Sequence, residues 1–471
     1  MLVNACLWSC FLSGWGAGRL KAAESVYVQQ VVIVGNKKTR EAVILREMSF
    51  HVGDSIPKDR LDKIIERNQQ NIFNLELFNR VEIQSEVVDD RLYVIIAVAE
   101  RWYIFPIPQF DIEERNTYDF FQNPNLHRLV YGMNLEWRNI SGRNEQLDFY
   151  GQLGFSQRLH IDYVQPAIFP KQNIDFLLSL RYIREPEIIF GTRDAKVQWG
   201  ITNREPLRRT HLLKLGLRKR FNARKSLYVE LGYHHYHLAD SIYDYNIDFL
   251  TNGDGREYYP SLVVTYSNDQ RDYKGYPLKG FKYQLLFRQT GGPASLASTG
   301  FTKLGFTWAQ HLPISPRWNF SYGAHFITSI GRYQPFFEKN FIGLRREEFA
   351  GTGHNLRGYE SYVIDGTLVN MNKAELKFAL FPLQSIRIPE IPFINFQEFP
   401  LGVYLTAFTD MGYVTDDTFS NQDDFLKNQA LLGYGVGLNV IGFYDNLLRV
   451  EYSRNHLNQG GIYIHGTVSI K

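Results

Sequence analysis

The sequence predicts a transmembrane antiparallel β-barrel of about 16 strands, preceded by one small α+β domain of order β-α-α-β-β. Three observations predict it. Short stretches with strict alternation of apolar and polar residues recur along most of the chain. Aromatic residues make up 15% of the 471 residues, with 34 Phe, 29 Tyr and 7 Trp, which suits strands and bilayer interfaces. Mean hydropathy is only −0.29, and no stretch approaches the roughly 20 apolar residues of a spanning helix. Period two gives a strand one apolar and one polar face. A soluble sandwich hides the apolar face, whereas a membrane barrel turns it to lipid around a wet interior. With 52 basic and 49 acidic residues, the formal charge of +3 carries no nucleic-acid signature.

Taken in order, residues 1–23 read as an export leader. Leu2 to Trp15 is apolar and rich in small residues, and Arg19, Lys21, Ala22 and Ala23 follow. Processing near Ala23 is the preferred reading; lipidation at Cys10, within Leu7-Trp8-Ser9-Cys10, is the alternative. Cys6 and Cys10 are the only cysteines, so cleavage near Ala23 leaves no thiol for a disulfide or a metal.

Residues 26–100 form the small domain. Val28 and Val31 to Val34 make a strand closed by Gly35-Asn36. Thr39 is the expected cap of a helix from Arg40 that carries Ala42, Val43, Leu45 and Met48, and Gly53-Asp54 ends it. Pro57 starts a second helix with Leu61, Ile64 and Ile65 on one face. Leu75, Phe78 and Val81 lead into a strand reaching Val87, Asp89-Asp90 turns the chain, and Leu92 to Val98 closes a three-stranded sheet under both helices. The edges of such a sheet can accept an extended chain by backbone pairing; the bland alternative is an inert spacer or plug.

The barrel occupies residues 103–471. Met133, Leu135 and Trp137 alternate with Asn134, Glu136 and Arg138. Leu227, Val229, Leu231 and Tyr233 alternate with Tyr228, Glu230, Gly232 and His234. Phe281, Tyr283, Leu285 and Phe287 surround Lys282, Gln284 and Arg288. Further strands are read from Trp318 to Phe326, Ala374 to Leu380, Gly402 to Thr409, Tyr434 to Val440, Leu448 to Tyr452 and Ile462 to Ile470. Connections at Asn139-Ile140-Ser141-Gly142, Asn252-Gly253-Asp254-Gly255 and Thr415 to Asn428 supply Gly and Asn for left-handed turn positions. Closure is expected because hydrocarbon tolerates no open sheet edge.

Residues 26–100 resemble a POTRA domain, the periplasmic repeat of outer membrane assembly and secretion barrels. The matching residues are Val31, Ile33, Gly35, Asn36, Thr39, Ile44, Glu47, Gly53, Leu75, Phe78 and Val81, with Glu100 as the closing acid. The rest resembles the barrel of the same superfamily, the bacterial surface antigen family. Asn139 to Gly142 with Tyr163, Pro166 and Phe169 is similar to its early hairpin pattern. Asp269, Arg271, Asp272, Pro277 and Gly280 resemble the mid-barrel signature, and Leu356-Arg357-Gly358-Tyr359 the arginine box. Glu375, then Phe408, Asp410 and Gly412, then Tyr434, Gly435, Gly437 and Leu438 complete the series. Two departures stand out: a single POTRA copy, and an ending Val468-Ser469-Ile470-Lys471 in place of a terminal aromatic.

The resemblance implies a place in the outer membrane of a Gram-negative bacterium, with the POTRA domain in the periplasm. It implies that a loop around residues 343–366 folds into the lumen and that Arg357 meets Glu375 and Asp410. A guanidinium offers five donors and never loses its charge, so burial requires acidic partners. Gly358 permits close backbone approach and Tyr359 adds a flat surface with a polar tip. The implied function is assembly and insertion of outer membrane proteins, templating client strands at a lateral seam among outer membrane lipids. Unfolded outer membrane or secreted proteins would be the clients, with periplasmic or lipoprotein accessory subunits as further partners. The alternatives are a secretion pore for a dedicated exported protein, and a structural barrel anchoring a periplasmic complex. Gly460, Gly461 and Gly466 would weaken the terminal strand at the seam.

No enzyme is expected. His234, His235 and His237 point to both faces of one strand, and no nucleophile turn is present. Gly14, Gly16 and Gly18 fail as a dinucleotide fingerprint because Arg19 follows and no strand precedes them. No metal or cofactor site is read.

Overall fold

Alternation along the sequence becomes one sheet of 16 antiparallel strands, and the mixed segment before it becomes a separate four-stranded sheet with helices. The computed structural model describes residues 24–112, 128–201, 206–244, 255–292, 300–343, 355–387, 398–416, 424–442 and 446–467. The expected leader at residues 1–23 with Cys6, Cys10 and Ala23, the turn residues Asn252 to Asp254, residues 344–354 and the terminal Val468 to Lys471 lie outside the described residues.

The N-terminal domain comprises β1 (Ser25–Val34), α1 (Glu41–Leu45), β2 (Ser55–Pro57), a 3-10 turn at Lys58–Arg60, α2 (Leu61–Phe73), β3 (Phe78–Val88) and β4 (Arg91–Glu100). Its sheet has four strands in the order β2-β1-β4-β3, with β1 parallel to β4, not three. The additional strand is Ser55–Pro57, which pairs with Ser25 to Tyr27. Three residues are too few for a periodic signal, and pairing with a distant segment creates the strand. Pro57 therefore ends β2, and α2 starts only at Leu61. Val26, Val28, Ile44, Ile72, Phe78 and Leu92 form the core between sheet and helices. Asp89 and Asp90 both take positive φ, 49° and 59°, as a tight hairpin turn requires.

Thr39 does not cap α1; Arg40 holds that position, with no side-chain cap. Instead the Glu100 carboxylate accepts from the backbone N–H groups of Lys38 at 3.0 Å and Thr39 at 2.7 Å. An anion from β4 thus satisfies donors ahead of the helix, and the Thr39 hydroxyl turns toward the barrel. It lies 3.0 Å from the Tyr103 hydroxyl and accepts from Asn139 Nδ2 at 2.9 Å. Burial pushes the Tyr103 phenol up to about 12, so it stays protonated.

The barrel begins with β5 (Ile104–Ile112), β6 (Leu129–Arg138), β7 (Gln146–Gly154), β8 (Gln157–Phe169) and β9 (Ile174–Glu185). A loop hairpin, β10 (Glu187–Arg193) and β11 (Lys196–Ile201), follows. Then come β12 (Arg208–Asn222), β13 (Lys225–Leu238), β14 (Arg256–Asp269), β15 (Gly280–Thr290), β16 (Gly300–Pro313) and β17 (Trp318–Tyr333). A second loop hairpin, β18 (Asn340–Ile342) with β19 (Ile364–Gly366), precedes β20 (Leu368–Arg387), β21 (Glu398–Thr415), β22 (Leu431–Ile441), β23 (Leu447–Asn455) and β24 (Gly460–Thr467). Leaving out the two loop hairpins, each strand pairs with the next, so the predicted 16-stranded fold is borne out.

Side-chain placement follows the alternation. Along β12, Leu213, Leu215 and Leu217 are exposed outward while Thr210 and Gly216 are buried inward. The outer band continues with Leu231, Tyr233, Val436, Ile462 and Ile464. Connections on the side of the N-terminal domain include the short turns 139–145, 223–224 and 314–317. The opposite, distal side carries the longer loops 186–207 and 334–367, as is usual for such barrels.

The N-terminal domain packs α1 and α2 against the near-side turns. Glu47 binds Arg220 at 2.8 Å, and Arg224 reaches Asn71 and Gln70. Arg40 N–H donates to the Gly142 carbonyl at 2.9 Å.

Candidate functional site: a pinned lumen loop and an unpaired seam

The polar inward face of each strand offers charged positions, and the bore brings together charges that are distant in sequence. On β21, Tyr404, Thr406, Phe408 and Asp410 alternate inward against outward Leu405 and Met411. Residues 355–367 of the distal connection lie in the bore and lay Arg357 on this face. Its Nε and Nη2 donate to the two oxygens of Asp410 at 2.9 and 2.6 Å, a bidentate fork. The Arg357 backbone N–H adds a bond to the same carboxylate at 3.2 Å. Nη1 donates to Glu375 on β20 at 2.9 Å and to Glu451 on β23 at 3.5 Å. The guanidinium stacks 3.7 Å from the centre of the Phe408 ring. Glu375 and Asp410 are thus both in contact with Arg357. Glu451 was not singled out in the sequence, and its inward position on β23 was the only signal for it.

The tip is fitted by shape as well as charge. Gly358 has φ +91°, a left-handed conformation that favours glycine, and its carbonyl accepts from Asn455 Nδ2 at 2.9 Å. A Cβ on Gly433 would lie 1.8 Å from the Arg357 carbonyl oxygen, so the bare backbone of β22 makes room for the tip. Leu356 packs with Ile342, Ile364, Met371 and Leu431, while the Tyr359 hydroxyl accepts from the Leu432 N–H at 3.1 Å.

Two further ionic anchors, at Glu338 and Lys339, hold the described residues that precede residue 343. Glu338, fully buried, accepts from Arg288 at 2.9 Å and from the Tyr259 hydroxyl at 2.9 Å, with Lys303 at 3.6 Å. Lys339 donates to Asp365 at 2.9 Å and to Asp416 at 2.6 Å, and Lys427 joins Asp365 at 3.1 Å. Phe336 and Phe337 enter an apolar cluster with Ile188 and Ile189 of the β10 hairpin. These contacts join residues tens of positions apart, which no local pattern reports.

The mid-barrel signature lies elsewhere, on the turn between β14 and β15 at the near mouth. Arg271 forks onto Asp269 at 2.8 and 2.7 Å, and Asp272 accepts from the Tyr273 and Leu278 N–H groups at 2.8 and 3.2 Å. At Gly280, with φ +100°, a Cβ would meet the Gln270 carbonyl at 2.2 Å. Lys377 connects this turn to the arginine knot. Its ammonium sits 3.4 Å from the Pro277 carbonyl, 4.3 Å over the Tyr276 ring and 4.0 Å from Glu375.

In the N-terminal domain, Gly35 takes φ +92° and Gly53 φ +101°, Asn36 Nδ2 donates to the Thr39 carbonyl at 3.0 Å, and Phe78 is fully buried. His234 is buried inward, 3.0 Å from Ser261 Oγ, whereas His235 stacks with His211 on the exterior.

The seam lies between the first and last strands. β5 pairs with β6 and β24 with β23, yet no register joins β5 to β24 among the described residues. The β5 sequence includes Pro106 and Pro108, which have no N–H.

Comparison with known proteins follows the same outline. The profile described as the Omp85 superfamily domain matches residues 139–442, nearly two thirds of the chain. A POTRA profile, described as the surface antigen variable number repeat, matches residues 26–101. No curated protein sequence matches. Among solved structures, the chain is similar to BamA from Haemophilus ducreyi lacking POTRA domains 1-3, with 17% identity, TM-score 0.51, and 94% of this chain and 84% of that one covered. CdiB from Escherichia coli aligns with 14% identity and TM-score 0.53 over 94% of this chain and 75% of that one. CdiB from Acinetobacter baumannii aligns with 12% identity and TM-score 0.52 over 94% and 73%. At these identities the likeness is one of fold.

Proposed function

Because the chain belongs to the Omp85 superfamily, we propose that it is an outer membrane assembly factor that templates client β-strands at the seam between β5 and β24. The observation that carries this reading is the pair of strand edges with no mutual register among the described residues. A backbone group in hydrocarbon must find a partner, and an openable seam offers one before the client strand meets lipid. Proline in a sheet sits with its nitrogen off the ladder. β5 is paired to β6 on one side, so Pro106 and Pro108 leave their missing donors on the seam side. The closing contact is thereby weak enough to exchange for a client strand.

The remaining parts support the same role. The N-terminal domain, on the periplasmic side, presents β3 as an edge strand to an unfolded client. The loop pinned by Arg357 braces the wall formed by β20 to β23 while the seam opens. The role is mechanical, without a catalysed reaction or a cofactor.

An engineered disulfide between β5 and β24 in liposome-embedded protein tests it. The oxidised form should lose its acceleration of outer membrane protein folding and regain it on reduction. Undiminished insertion by the tethered barrel would remove the seam from the mechanism. Large, steady ion conductance without folding activity would favour a secretion pore, and neither signal a structural anchor.

A further inference from the structure

Between α2 and the near mouth of the barrel lies a cleft of about 480 Å³. Seven Lys and Arg side chains line it against three carboxylates, Glu47, Glu76 and Asp269. Two of those carboxylates are already engaged, Glu47 with Arg220 at 2.8 Å and Asp269 with Arg271 at 2.7 Å. Asp175, buried behind the lining, holds Arg218 at 2.9 Å and Arg220 at 3.3 Å. Arg224, Lys225, Lys274 and Lys282 are therefore the lining cations without a carboxylate partner among the described residues. Arg224 meets only neutral oxygens, those of Asn71 at 3.2 Å, Gln70 at 3.4 Å and the Arg271 carbonyl at 3.2 Å. Lys225, Lys274 and Lys282 have no carboxylate within 4.0 Å among the described residues. Nη2 of Arg220 is buried with no acceptor among them. Just behind, burial and then the Arg220 charge push the Arg46 guanidinium pKa down. Four such charges in one recess raise its free energy until an anion enters.

Position selects the kind of anion. Arg218 and Arg220 share the inward register of Thr210 and Gly216 on β12, and the wall itself separates them from lipid headgroups outside. The cations extend over β12 to β15 and the turns between them. Three strand spacings of about 4.8 Å make that row roughly 14 Å wide, more than one phosphate can reach. An extended peptide places every second side chain on one side at a repeat of about 6.7 Å, which matches such a row.

We infer that this cleft binds an acidic stretch of extended polypeptide, an Asp- and Glu-rich client segment passing from the N-terminal domain to the bore. The inference rests on clients approaching from the periplasmic side, and is indifferent to whether they are inserted or exported. Peptide capture and strand templating are read by separate assays, so either can fail alone.

The test uses the full chain in detergent micelles and the fluorescence anisotropy of a labelled short peptide alternating Asp or Glu with Gly or Ser. The expected result is binding at low salt that weakens as sodium chloride shortens the screening length. Binding should fall about tenfold for the Asn/Gln counterpart, and by a similar factor for the Lys225→Gln/Lys282→Gln double variant. Heat-modifiable migration verifies that the variant barrel is folded, and Lys282→Met serves if the double variant is not. Equal affinity for both peptides, or undiminished affinity in the folded variant, overturns the inference. Displacement of the peptide by an equal concentration of inorganic phosphate also overturns it and reassigns the cleft to phosphate groups.

Discussion

Replacing Arg357 by Ala removes the one cation that, among the described residues, touches Asp410, Glu375 and Glu451 together. Asp410 is fully buried, and the fork supplies its ion pair. Removing one partner of a buried pair costs about 3–5 kcal/mol. At about 1.4 kcal/mol per factor of ten, the open population of the loop tip should rise by roughly two to three and a half orders of magnitude. Hydrogen exchange of the backbone amides over residues 356–362 in micelles reads that opening directly. The Tyr359 and Tyr362 N–H groups, which donate to Leu356 and Tyr359 carbonyls at 3.0 Å, are the reporters. Arg357→Lys keeps the charge but loses the planar fork, so it should fall between Ala and the parent. The Arg357→Ala/Asp410→Ala double variant should be less damaged than the sum of the singles, because it does not strand the Asp410 carboxylate. Exchange rates in Arg357→Ala within a factor of about two of the parent would refute the pinning argument, since so small a ratio corresponds to less than about 0.5 kcal/mol.

Four further outcomes follow from the same geometry. Gly433→Ala puts a methyl where the Arg357 carbonyl lies, so exchange over residues 356–362 should speed up as in Arg357→Ala, although every ionic group remains. Glu338→Gln strands Arg288 and Lys303 and should lower barrel stability by about 3–5 kcal/mol, read as a reduced urea midpoint in micelles. Restoring two donors with Pro106→Ala/Pro108→Ala should tighten the seam, raising the temperature of the heat-modifiable mobility shift and slowing client folding; a rate equal to the parent's would exclude the prolines from seam opening. Glu47→Gln weakens the bond to Arg220 by about 1–3 kcal/mol and should broaden the distance distribution between labels on the N-terminal domain and the barrel.

Particular residues mark the boundary between what was readable in advance and what was not. The inward and outward sides of β12, β13 and β15 follow from alternation, a property of neighbours in sequence. The hairpin turn at Asp89-Asp90 and the left-handed Gly35 and Gly53 are likewise local demands of backbone geometry. Thr39 misled because a carboxylate 61 residues away, Glu100, took over the donors it was expected to satisfy. The short strand β2 escaped notice because its existence depends on β1 lying beside it.

By itself, then, the order of residues determined a membrane barrel with one helical and sheet domain before it, since both rest on periodicity and turn chemistry. Only the tertiary structure decided that Glu451 joins Arg357, that Glu338 and Lys339 hold the same loop, that Gly433 yields space to its tip, and that no register joins β5 to β24 among the described residues. Those facts arise when a curved sheet carries residues 50 to 100 positions apart to the same few ångströms of lumen, as Arg357 and Glu451 are carried, 94 positions apart in sequence. No short-range pattern contains that distance, because the pairing order and curvature of the sheet rather than chain neighbourhood set it.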